Sequence, residues 1–409
     1  MTSAKILAII QAGGAGGRMD VLTTERPKPV LRFGGSYRLI DFVLSNLMHS
    51  RLDDVWLSVS YQGASVVEAV RNGRAWDLDR TYGGLRFIGP QEGFSPHESG
   101  MSGGNADELY MLRDRIRAED PDIVLVLSAD HAYRLDYREL IDTHLTKGAE
   151  VTLLSTDISG LDGAKASDHA VLQVNRLGRV TGFDYKPESP TSDLIAAEAI
   201  AYDASVIIEV LEQLHREVNA VDRGEEETPG LGDYGDLLLP RLVERGKAYA
   251  HQLDGYWRDL GQPHHYLNAH LELVRQQTDL FDPAWPVIGH QPQTLPARIE
   301  QEAEVHESLI SPGCVVGGRV TRSVLAPGVV IEPGADVMEC VIGDGVRIRA
   351  GAKAWRSIID YGAELGPDAR VGSQDADLED PDAVAVIGRE STVDSVLPAG
   401  ARLFPGTTA

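Results

Sequence analysis

Two hydrophobic periodicities divide the chain. Over the first 280 residues, short uninterrupted apolar runs alternate with stretches of helical spacing. Residues 6–10, 55–59 and 123–127 are apolar throughout, or nearly so, and read as buried strands. Between the first two, Leu39, Ile40, Val43, Leu44, Leu47 and Met48 recur with the spacing of one helix face. Strand, loop, helix and strand in that order predict a right-handed crossover of a parallel sheet. Further helices are expected at about 137–147, 205–218, 236–245 and 263–277, and strands at 150–156, 170–174, 178–185 and 248–253. Leu109, Leu112 and Ile116 form another buried stripe, opened by Asn105 with Glu108 three positions on as a capping box. Residues 73–104, glycine-rich and without period, are expected to form a mobile flap.

The second period is six. Leu325, Ile331 and Val337 are six apart, as are Ile342, Ile348 and Ala354, then Ile359, Leu365 and Val371, and the triads are offset by seventeen residues. One apolar position every six residues, three to a coil, predicts a hexapeptide β-helix whose triangular coils stack their inward residues. A weaker preceding coil has Cys314 and Val320 inward, so Cys314 reads as core filler. Residues 375–382 read as an acidic loop and 384–387 as one more strand, giving about four coils. Four prolines in residues 281–296 suggest an extended linker. The expected division is 1–280, a linker at 281–296, and a β-helix domain at 297–409.

Length and charge narrow the chemistry. At 409 residues the chain exceeds a single core, so two domains are the natural expectation. With 62 acidic against 38 basic side chains, the charge argues against a nucleic-acid polymer or an anionic membrane as main partner. Any phosphate ligand must be held locally. Two cysteines are too few for a disulfide framework, and no apolar run is long enough to span a membrane. A soluble, cytoplasmic protein is expected.

Local phosphate binding has an obvious candidate. The strand at 6–10 empties into Gln-Ala-Gly-Gly-Ala-Gly-Gly-Arg-Met (11–19), where backbone N–H groups can approach a phosphate chain and Arg18 adds charge. The stretch opens no helix, because Pro27 and Pro29 follow in Thr-Thr-Glu-Arg-Pro-Lys-Pro (23–29), and no Gly-x-x-x-x-Gly-Lys-[Ser/Thr] is present. A dinucleotide fingerprint and a P-loop are thereby set aside. Asp130 ends the buried run at 123–130, at the carboxyl end of a strand, where open α/β sheets bind ligands. Asp259, in Gly-Tyr-Trp-Arg-Asp-Leu-Gly (255–261), is a second candidate carboxylate, with a salt bridge to Arg258 as the plainer alternative. Lys186 precedes a proline-set turn. His131 reads as satisfying a backbone group.

The motifs GGAGGRM, ERPKPV, FGGSYRLIDFVLSN, SADHAYRLDY and YWRDLG, in this order and followed by a β-helix, closely resemble bacterial ADP-glucose pyrophosphorylases (glucose-1-phosphate adenylyltransferases) from about residue 5 to 372. The resemblance implies a Rossmann-like α/β nucleotidyltransferase domain, mostly parallel in its sheet, with a C-terminal left-handed β-helix. It also implies a homotetramer, a requirement for Mg2+, and effector metabolites bound near the domain junction. The reaction implied is ATP plus glucose 1-phosphate giving ADP-glucose and pyrophosphate, the committed step of glycogen synthesis. Arg18 and Lys28 would then hold the β- and γ-phosphates, Asp130 and Asp259 would ligate Mg2+ with Asp130 central to catalysis, and Lys186 would hold the sugar phosphate. Ala12, Gly13, Gly14, Gln91, Gly104 and Asp107 would contact the nucleotide.

Several pocket positions depart from the family pattern. Tyr185 replaces the glutamate before the sugar-phosphate lysine, Ala196-Ala197-Glu198 stands for a Ser-Met-Gly turn, and Asp236-Leu237 for a Lys-Asp pair. Tyr185 and Glu198 would therefore meet the sugar, and Glu198 could accommodate an amine. Glu25 replaces a basic residue beside Arg26 that helps bind phosphorylated effectors, and Met101-Ser102-Gly103 replaces an aromatic and arginine in the flap. Weak or altered activation by glycolytic sugar phosphates follows. Two other readings stand beside the leading one: a paralogue using another sugar 1-phosphate, such as glucosamine 1-phosphate, or another nucleoside triphosphate, and a non-catalytic regulatory subunit.

Overall fold

The computed structural model describes residues 4–13, 16–89, 103–161, 164–220, 230–291 and 293–409. At its centre the strand Ile6–Gln11 pairs in parallel with Asp54–Ser58 on one side and Ile123–Ser128 on the other. Its side chains alternate between the two faces, Ala8 and Ile10 joining one core and Leu7 and Ile9 the other, all fully buried. The helix Leu39–His49 covers the first face with Ile40, Val43, Leu44 and Leu47. Helices Asn105–Glu119 and Ala204–Ala220 cover the second. Gly84–Ile88 extends the parallel run past Asp54–Ser58, a strand inside the stretch read from sequence as a flap. The remainder of that flap, 90–102, lies outside the described residues.

Beyond Ile123–Ser128 the nine-stranded sheet changes direction. Leu194–Asp203 pairs antiparallel with Ile123–Ser128, Val151–Asp157 and Ala170–Val174. This long strand escaped the sequence reading because four of its ten residues are alanine, a weak strand former that leaves no alternation to read. Its register breaks between Ala196 and Ile200, and Glu198 sits in that break with φ 55°. Helix Asn105–Glu119 also differs in its start. Asn105 Oδ1 accepts from the Tyr234 amide at 2.6 Å, and Glu108 accepts from Gln11, so the expected capping box gives way to contacts across the sheet.

The proline-rich segment is laid against the first domain. Phe281 stacks on Tyr37, Trp285 Nε1 donates to Asn46, and the Ile288 carbonyl accepts from Trp76 Nε1 at 2.9 Å. After it, three parallel six-stranded sheets form the faces of a left-handed β-helix. Six rungs are present, two more than the period suggested. The first, with strands Arg298–Ile299, Glu304–His306 and Leu309–Ile310, lacks regular apolar triads, and the last follows the 375–382 insertion, which breaks the register. The nine positions read as inward triads are all essentially unexposed, as are Cys314 and Val320.

The two domains share an apolar junction. Met19, Val21, Leu22, Leu31 and Phe33 pack in one cluster with Val341, Ile358, Val384 and Val386 of the β-helix. Among the described residues no helix is long and apolar enough to cross a membrane.

Truncating the stacked interior should be costly and truncating its surface should not. Ile348→Ala is expected to destabilise by about 2–5 kcal/mol in urea unfolding, whereas exposed Val396→Ala should change stability by less than about 0.5 kcal/mol.

Candidate active site

The carboxyl ends of Ile6–Gln11 and Ile123–Ser128 lie side by side, with Gln11 in register with Ser128. Just past them, Asp130 precedes the short strand His131–Tyr133, which pairs antiparallel with Trp257–Asp259. That pairing sets Asp259 opposite His131 and closes 231 residues of sequence onto Lys28. Lys28 begins a short 3-10 turn between Pro27 and Pro29 and is only 4% exposed. Its ammonium donates to Asp130 Oδ2 at 3.1 Å and to Asp259 Oδ1 at 2.9 Å. Arg258 pairs instead with Glu272, which removes the alternative of an Arg258–Asp259 bridge.

Burial disfavours every charge here, yet the charges hold one another. The Lys28 pKa is raised, burial pulling it down and Asp130 and Asp259 more than offsetting that. Asp130 is held well below the usual carboxylate range, Lys28 and then His131 overcoming its burial, and Asp259 is lowered by the same pair. His131 Nδ1 lies 2.9 Å from Asp130 Oδ1 and 3.9 Å from Glu198, and its Nε2 is 3.8 Å from Asp259. Burial would lower its pKa, but Asp130 and Glu198 push it up to about 9. The ring stacks on Trp257, centroids 5.2 Å apart. Glu198 is raised, by burial and then by Asp130 and Asp259, against His131 and a hydrogen bond from Tyr234.

Part of this cluster opens on a cavity of about 460 Å³, whose lining does not include His131 or Asp259. Ala12, Gly13 and Gly104 line it, as do Lys28, Asp130 and Glu198. A Cβ at Gly104 would come within 2.2 Å of the Gly232 carbonyl carbon, so the helix start and the 230–236 loop meet backbone to backbone. Asp107 is used in that junction, accepting from the Gly103 and Leu231 amides, and does not line the cavity. Tyr185 does not line the cavity but donates at 3.0 Å to Asp233, which does. Lys186, exposed with φ 47°, carries its ammonium 4.6 Å from the Tyr185 ring. Arg18 is exposed and makes no hydrogen bond or ion pair among the described residues, so the structure does not bring it to Lys28. Gly14 and Gln91 lie outside the described residues.

The sequence reading gave His131 only a backbone group to satisfy and Glu108 only a helix cap, and it did not single out Tyr234 or Asp233. His131 carried a signal, its place beside Asp130, but the antiparallel pairing that sets it opposite Asp259 is not written in local spacing. Among the described residues, donor atoms of Asp130, His131 and Glu198 lie within 4.8 Å of one another. Hard carboxylate oxygens, half-open to a cavity roomy enough for water, fit a divalent cation that keeps part of its hydration shell.

A family model for nucleotidyl transferases matches residues 7–276, and one for the GlmU-like C-terminal hexapeptide matches 293–387. A glucose-1-phosphate adenylyltransferase of Thermotoga neapolitana is 36% identical over 81% of this chain and 76% of its own. Its counterpart in Bacillus thuringiensis is 33% identical over 83% of this chain and 87% of its own, and that of Bacillus anthracis is similar to the same extent.

A histidine whose folded pKa lies above its unfolded value stabilises fully below about 6.5 and loses that contribution as pH rises through about 9. The melting temperature of metal-free protein should therefore fall between pH 7 and 10, and the fall should be shallower in His131→Asn. Equal slopes for the two proteins would contradict the imidazolium.

Proposed function

We propose, from the premise that this chain belongs to the nucleotidyl transferase family and within it to the glucose-1-phosphate adenylyltransferases, that Lys28, Asp130 and Asp259 form the centre of an adenylyl-transfer site. The reaction is ATP plus glucose 1-phosphate giving ADP-glucose and pyrophosphate, the first committed step of glycogen (α-glucan) synthesis. The observation that carries this reading is the Lys28 ammonium held between Asp130 and Asp259 at the mouth of the parallel strands.

A phosphate oxygen of the sugar ester attacks the α-phosphorus in line with departing pyrophosphate, so the site has to absorb negative charge and fix geometry. Lys28 is the buried cation for the leaving group, preset by two carboxylates and therefore needing little reorganisation. Backbone groups at Ala12 and Gly13 face the nucleotide, with Gly104 across the cavity. Arg18 and Lys186 are exposed and long enough to turn toward bound phosphates, Arg18 to the triphosphate and Lys186 to the sugar ester. Asp130 and Asp259 would hold the divalent ion, Mg2+, which when bound neutralises the phosphate oxygens. The attacking phosphate is already an anion, so His131 need not act as a base; it helps Lys28 hold Asp130 ionised and offsets part of the burial cost at Glu198.

The remaining assignments belong to the same reading: a nucleotidyltransferase domain at 1–280, a linker at 281–296 and a β-helix domain at 297–409, in a cytoplasmic homotetramer responsive to small-molecule effectors. Glu198 favours a second reading, because a carboxylate open to the cavity and not paired to Lys28 or an arginine suits an ammonium on the sugar. That reading is a paralogue taking glucosamine 1-phosphate. A regulatory subunit without catalysis is disfavoured by the complete Lys28–Asp130–Asp259 set.

Pyrophosphate release, measured with Mg2+ over a grid of nucleoside triphosphates and sugar 1-phosphates, should peak at ATP with glucose 1-phosphate. A peak at the amino sugar selects the second reading, and silence across the grid overturns both. Asp130→Asn should lower turnover at least about 10²–10³-fold while the protein still folds, as read by its circular dichroism. Near-normal turnover would remove Asp130 from the site. Fructose 1,6-bisphosphate should activate weakly or not at all, since Glu25 adds a carboxylate 3.5 Å from Arg389 at the junction; strong activation would contradict this.

A further inference from the structure

The segment that delivers Lys28 is fastened to the β-helix on both sides of the lysine. Before it, Asp20 pairs with Arg402, Glu25 lies 3.5 Å from Arg389, and Arg26 pairs with Asp360 at 2.5 Å. After it, Arg32 forms a two-pronged pair with Asp344 at 3.0 and 2.6 Å. The Tyr266 hydroxyl also donates to the Arg32 carbonyl. Arg26 and Asp360 are largely buried, with side-chain exposures of 17% and 8%.

Local backbone structure cannot supply this fastening. Pro27 and Pro29 flank Lys28 and have no N–H, so the turn lacks two of the donors that a strand or helix would use. The turn keeps two backbone bonds, from Val30 to Pro27 and from Leu31 to Lys28. From the catalytic domain the segment is held by Tyr61, which donates to the Thr23 and Thr24 carbonyls, by the pairing of Arg32–Phe33 with Tyr37–Arg38 and by burial of Val30; from the β-helix it is held by apolar contacts of Leu22, Leu31 and Phe33 and by the arginine pairs. Bidentate pairing adds direction to attraction, which an apolar contact does not.

We propose that the β-helix positions Lys28 for the reaction, with Asp360 and Asp344 as positioning residues that act through Arg26 and Arg32. The proposal rests on the reading of Lys28 given above. Neither aspartate lines the cavity that holds Asp130 and Glu198, and each pairs with an arginine of the 26–32 segment, which is the connection to Lys28 tested below. The C-terminal domain is then part of the catalytic apparatus as well as a scaffold.

The test compares Asp360→Asn and Asp344→Asn with Asn268→Ala. Asn268 donates to the Leu378 carbonyl at 3.0 Å, joining the same two domains away from the 20–32 segment. Each aspartate variant should lose about tenfold or more in kcat, with KM for ATP within about threefold, since small misplacements of a charge-stabilising group are expensive in the transition state. Amide exchange at residues 30–33 should rise in the same variants. Asn268→Ala should keep its kcat and its exchange at 30–33. If Asp360→Asn fails to fold, the more exposed Asp344 pair decides. Unchanged kcat, unchanged exchange at 30–33, or an equal loss of kcat in Asn268→Ala would overturn the proposal. The wild-type rate reports on the adenylyl-transfer reading by itself, and exchange reports on positioning whether or not that rate is found.

Discussion

A single buried ammonium determines how the catalytic end of this protein is built. Lys28 takes one oxygen from Asp130 and one from Asp259, residues 102 and 231 positions away in sequence, and burial would make any one of these charges costly alone. Each is tolerable because the others are present. The fold can be described as the means of bringing them together: a buried parallel strand that ends at Ser128, a two-stranded ribbon that returns Asp259 beside His131, and a proline-flanked turn that holds the lysine.

His131 completes the balance. Three carboxylates, Asp130, Glu198 and Asp259, gather about its imidazole, which stacks on Trp257, while the Lys28 ammonium pairs with two of them. Carboxylate oxygens partly open to solvent at Asp130 are an arrangement that a hydrated divalent ion would complete. The overall acidity of the chain therefore does not conflict with a phosphate-handling site, because the positive charge is local and fixed.

The architecture was legible where one local period governs many residues. Apolar runs ending in Gln11 and Ser128 announced the parallel strands, and the six-residue spacing of Leu325 through Val371 announced the β-helix, since both follow from alternation that any strand of that kind must keep. Legibility failed where long-range pairing decides. The alanine-rich strand Leu194–Asp203 exists because Ile123–Ser128 and Val151–Asp157 flank it, and its bulge turns Glu198 to the cavity. Family motifs pointed to Lys28, Asp130 and Asp259, which the structure brings together, and to Arg18 and Lys186, which it leaves exposed. The partnership of His131 with Asp259, and the arginine pairs tying 20–32 to the β-helix, depend on residues far apart in sequence and have no local signature.

The account turns on Lys28 acting on charge that develops as pyrophosphate departs. Its most direct test is Lys28→Met, with turnover and ATP affinity measured on the same preparation. The account predicts a fall in kcat of about 10²–10³-fold with a much smaller loss of ATP binding, because the ammonium is set for the transition state. Turnover close to that of the unaltered protein, or a loss confined to ATP affinity, would contradict it.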